Sequence, residues 1–73
     1  MFKQLQNLVI TARAARPDLP MLSTNVEHGA FSIVCFPNYG NGARSQWHKD
    51  LMILRDNLSI NEAIAALENT NTL

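Results

Sequence analysis

Few side chains in this sequence have chemistry to offer: one cysteine, Cys35, two histidines, His28 and His48, and the carboxylates Asp18, Glu27, Asp50, Asp56, Glu62 and Glu68. A nucleophilic thiol needs a base within reach and an electropositive, accessible setting. Cys35 stands instead inside "AFSIVCF", an apolar stretch with no base beside it, and reads as a small buried hydrophobe. Neither histidine is spaced like a metal ligand, and the carboxylates form no DxD or ExxE pair. The glycines of "PNYGNG" miss the spacing of a P-loop or a dinucleotide fingerprint. Asparagine and glycine there serve turn chemistry, because they tolerate left-handed dihedrals. The expectation is a non-catalytic protein with no metal and no cofactor.

What remains is a cluster within "CFPNYGNGARSQWHKD": Tyr39, Arg44, Trp47, His48 and Lys49. Tyrosine, tryptophan and arginine are the residues most enriched where interfaces concentrate their binding energy. The cluster is therefore the candidate interaction surface. The same residues suit nucleic acid as an alternative, with bases stacked on the aromatic rings and phosphates held by Arg44 and Lys49. Arg13 and Arg16 would extend that patch.

Charge decides between the two. Six basic side chains balance six acidic ones, so no global field draws in a polyanion, and phosphate neutralisation is the main source of non-specific affinity for nucleic acid. Hydrophobic residues make up 47% of the chain and charged ones 16%, against about 25% charged in an ordinary soluble domain. So apolar a composition is not that of a disordered segment, and it implies a surface that something covers. The first expectation is thus a small protein-interaction or self-associating protein, its partner another protein or a second copy (a homodimer). A small nucleic-acid-binding regulatory protein is the alternative. No run reaches the roughly 20 apolar residues of a membrane span, and polar residues interrupt the N-terminal apolar stretch. A cytoplasmic location and no membrane partner are expected, which suits the unpaired cysteine.

The elements that must position these residues follow from periodicity. The 73 residues allow one small domain, 1–73, with a frayed end over 69–73. Phe2, Leu5, Leu8, Val9 and Ala12 fall on one helical stripe, and Pro17 stops that helix after residue 16. Ile10 lies off the stripe, an isolated surface residue or part of a second contact. A short edge strand over Met21 to Val26 and a turn at Glu27, His28 and Gly29 lead into the clearest strand, Ala30 to Phe36, which is apolar on both faces. Trp47, Leu51, Leu54 and Leu58 then recur at helical spacing, which predicts a helix over 44–57. Its competitor is a buried strand at "LMIL". Ser59 and Glu62 spell a capping box ahead of a stripe of Ile60, Ala63, Ile64 and Leu67.

The resulting fold is α+β: an N-terminal helix, a short β-hairpin and two C-terminal helices. The alternative is a helix, a three-stranded antiparallel sheet and a helix. In outline that second order resembles double-stranded RNA-binding domains. The chain lacks their basic helix start, and the resemblance assigns no residue.

Overall fold

A computed structural model describes residues 2–39 and 51–73. The elements run α1 (Phe2–Ala15), β1 (Ser23–Glu27), β2 (Ala30–Cys35), β3 (Met52–Leu58) and α2 (Ile60–Glu68), followed by a 3-10 turn at Thr70–Thr72. The strands form one antiparallel sheet in the order β1-β2-β3. Its core joins Leu5, Val9 and Ala12 of α1, Phe31 and Ile33 of β2, Ala63 and Leu67 of α2, and Leu22 from the linker.

Most local signals act as read. Leu5, Val9 and Ala12 of the α1 stripe are buried and Leu8 is half-buried, while Lys3, Gln4, Asn7 and Thr11 face solvent. Ser59 accepts a hydrogen bond from the Glu62 backbone N–H at 3.1 Å, and the Glu62 carboxylate accepts one from the Ser59 N–H at 2.9 Å. These close the capping box and satisfy amides that α2 itself leaves without partners. The hairpin between β1 and β2 turns on two residues, His28 and Gly29, with φ of 53° and 78°. Positive φ at both positions is the type I′ geometry, whose twist matches that of the paired strands.

The expected hairpin with two C-terminal helices is corrected. Residues 52–58, assigned to a helix over 44–57, are strand β3, and the architecture is a helix, a three-stranded antiparallel sheet and a helix. Residues 44–50 of that expected helix lie outside the described residues. The register explains the misreading. Phe31 pairs with Leu58, Ile33 with Arg55, Val34 with Ile53 and Cys35 with Met52, with shifts between Phe31 and Ile33 and again between Ile33 and Val34. Each shift puts one extra residue into β3, a β-bulge, and each bulge moves the following side chains to the other face. Two bulges in seven residues erase the period-two pattern, leaving Leu51, Leu54 and Leu58 at an accidental helical spacing. Asn57, in the first bulge, sits at φ 56°, a region asparagine enters more readily than most residues. Its N–H donates to Asp56 Oδ1 at 2.8 Å.

Candidate interaction surface

Of the candidate cluster, only Tyr39 lies among the described residues. It follows β2 in a turn, donates its backbone N–H to the Phe36 carbonyl at 3.0 Å, and is 47% exposed. Arg44, Trp47, His48 and Lys49 lie outside the described residues.

Cys35 is buried at the end of β2. Burial pushes its thiol up, and the negative charge of Asp18 adds to the effect, so the thiolate that nucleophilic chemistry needs is disfavoured. His28 projects into solvent from the hairpin turn with Glu27 3.7 Å away. Among the described residues no three His, Cys, Asp or Glu side chains converge as a metal site would require, and no buried side-chain nitrogen or oxygen lacks a hydrogen-bond partner. No described helix is long and apolar enough to cross a membrane.

The described arginines are turned toward the chain itself. Arg13 donates through Nε to the Leu22 carbonyl at 2.6 Å and through Nη2 to Ser23 Oγ at 3.2 Å. Arg16 grips both carboxylate oxygens of Asp18 at 2.9 and 2.8 Å, and its Nη1 reaches the carbonyls of Thr70 and Leu73. Arg55 donates to the Thr72 carbonyl at 2.7 Å. Arg16 and Arg55 thus both reach carbonyls of the C-terminal turn, those of Thr70, Thr72 and Leu73, while Arg13 holds the start of β1. These three guanidiniums are fasteners of the fold.

One of these fasteners titrates. The hydrogen bonds from Arg16 hold the Asp18 carboxyl below its usual range. A carboxylate with a lowered native pKa stabilises the fold fully above the ordinary aspartate range and loses that contribution as pH falls through the lowered value. Asp18→Asn is therefore expected to lower the urea midpoint at neutral pH and to leave it close to wild type in strong acid. The pair is exposed on its Asp18 side, so the effect is small and shrinks with salt. An equal loss at both pH values would mean that the ionised carboxylate is not what matters.

The surface left over lies elsewhere. β1 is an edge strand, and no described strand pairs with its outer side. Thr24 and Val26 pair with the core residues Ile33 and Phe31, so their side chains lie on the helix-covered face. Between β1 and α1 runs a groove of about 580 Å³, lined by the apolar Leu5, Val9, Ile10, Val26 and Phe31 and by the polar Gln6, Asn7, Arg13, Ser23 and Thr24. Ile10 and Val26 are 63% and 57% exposed, the highest values among the described large apolar side chains. β3, the opposite edge, also exposes Met52 and Ile53 at 49% and 54%, but its bulges and the charges of Arg55 and Asp56 break up that margin. Sequence reasoning noted Ile10 as off-stripe and β1 as an edge. It did not connect them, because residues 10 and 26 are neighbours only once α1 lies over the sheet. Compared with family models, with curated proteins and with solved structures, the chain matches none.

Proposed function

We propose that this chain is a small, non-catalytic, cytoplasmic interaction domain that binds protein through the free edge of β1 and the groove beside it. The observation that carries the reading is the placement of Ile10 and Val26 beside an unbulged edge strand. An extended segment added to β1 gains backbone hydrogen bonds at every second residue, while its alternate side chains reach the adjoining groove and its apolar residues Ile10, Val26 and Phe31. The low charge content of the chain supports the same reading. The unpaired Cys35 suits the compartment.

A nucleic-acid-binding regulator is the second reading. The observation favouring it is the order helix, three antiparallel strands, helix, which double-stranded RNA-binding domains share in outline. The hydrogen bonds that Arg13, Arg16 and Arg55 make to the chain itself, and the balanced charge, weigh against it. One selection separates the two. Random dodecapeptides displayed on phage, and random-sequence single- and double-stranded RNA, are panned against the immobilised chain and against Val26→Lys. Protein binding by the groove yields peptides with apolar residues at alternate positions, and Val26→Lys reduces their retention at least about tenfold, the effect of roughly 1.4 kcal/mol. Enrichment of RNA that Val26→Lys leaves intact or improves, with no such peptides, would replace this reading with the second.

A further inference from the structure

We propose that the partner of the β1 edge is a second copy of this chain, with the two β1 strands paired antiparallel about Asn25 so that two three-stranded sheets become one of six strands. The inference rests on the reading of β1 and its groove as a protein-binding surface and names the occupant.

The hairpin sets the parity. In a two-residue type I′ hairpin the flanking residues exchange both backbone hydrogen bonds, so Glu27 and Ala30 form such a pair, and so, alternating back along β1, do Asn25 and Ser23 with β2. The N–H and C=O groups of Thr24 and Val26 therefore point away from β2, out of the sheet edge. The Leu22 carbonyl belongs to the same outward series, and Arg13 Nε already occupies it at 2.6 Å. Among the described residues the open part of the edge is thus Thr24 to Val26, symmetric about Asn25. Antiparallel pairing of like strands requires outward residues to meet outward residues, and centring on Asn25 uses all four outward groups of each copy. Thr24 of one copy meets Val26 of the other, twice, and four intermolecular hydrogen bonds form.

Two further features fit that register. Ser23 falls opposite Glu27 of the second copy. The Arg13 guanidinium, 3.2 Å from Ser23 Oγ, then stands beside that carboxylate, and the dyad repeats the pairing of opposite charges. Continuing the sheet also puts both α1 helices on the same face, side by side, which closes Ile10 and Val26 of both copies into one apolar seam. The contact is isologous and self-limiting: once the two β1 edges are joined, the outer edges of the assembly are the bulged β3 strands, which resist further addition.

The test is light scattering with size-exclusion chromatography over a wide concentration range, combined with cross-linking through one introduced cysteine in addition to the buried Cys35. The chain is expected to reach twice its 8.2 kDa mass. Asn25 is the one β1 residue that faces its own copy, so Asn25→Cys is expected to form a disulfide-linked dimer under mild oxidation. Thr24→Cys and Glu27→Cys, which face other residues, stay monomeric on denaturing gels, as does the wild type with its buried Cys35. Thr24→Pro removes an outward N–H that the isolated fold does not use, which breaks two of the four bonds and weakens dimerisation by about tenfold or more. Val26→Lys provides a second disruption at an exposed side chain, and circular dichroism of each variant verifies folding. A chain that stays monomeric at every concentration, or a dimer that Thr24→Pro and Val26→Lys leave intact and Asn25→Cys fails to cross-link, overturns the proposal. If the monomer still selects groove-binding peptides, only the identity of the partner is wrong. If it selects none, the protein-binding reading fails with it.

Discussion

Ile33→Ala is expected to leave most of the protein unfolded at room temperature. Ile33 lies at the centre of β2, the middle strand, is fully sequestered from solvent, and belongs to the cluster that joins both helices to the sheet. Truncating an isoleucine in such a position costs about 2–5 kcal/mol, through the lost transfer free energy and the cavity left behind. A domain of this length buries only roughly 60% of its unfolded surface and has only a few kcal/mol of stability to lose. Neither a disulfide nor a described metal cluster adds to it. Ile33→Val, which removes one methylene, costs about 0.5–1.5 kcal/mol and stays folded. Urea titrations followed by circular dichroism would show the two variants well apart. Equal and small shifts would mean that the β2 centre is not where the core is tightest.

The second large effect is at the hairpin. Gly29→Val is expected to destabilise by about 1–2 kcal/mol, the strain of holding a side chain in the left-handed region, although φ alone causes it. A Cβ built on Gly29 meets nothing within 4 Å, so no clash contributes, and the loss comes from the backbone angle of 78°. Gly29→Asn, with a residue that enters this region more readily, retains most of the stability. For a chain of this size each kcal/mol moves the melting temperature by about 4–8 °C, so the two variants separate clearly in a thermal melt. Because the turn also sets which groups of β1 point outward, a Gly29→Val chain that folds but no longer associates would tie the two properties together.

The parts of this protein that were legible in its sequence share a physical basis: each is determined by residues close together in the chain. The stripe of Leu5, Val9 and Ala12, the stop at Pro17, the turn at His28 and Gly29, and the reciprocal cap of Ser59 and Glu62 need no distant partner to be recognised. α1, the first hairpin and α2 stand accordingly where the periodicity puts them. The fate of Cys35 was legible for the same reason, since an apolar strand has no room for a charged thiolate.

β3 was not legible, because its conformation is decided by β2. Leucine, methionine and arginine accept a helix readily, and the two bulges remove the alternation that would have marked a strand. Only the backbone groups of β2, left without partners if residues 52–58 coil into a helix, favour the extended form strongly enough to win. The surface proposed for interaction belongs to the same class. The sequence by itself determined a small, weakly charged α+β chain rich in apolar side chains. The tertiary structure decided where described apolar side chains are displayed, Ile10 and Val26 beside the β1 edge among them, and turned Arg13, Arg16 and Arg55 onto backbone carbonyls. The reason is geometric: a groove between a helix and an edge strand exists only after both have packed on a common core, and no spacing along the chain encodes it.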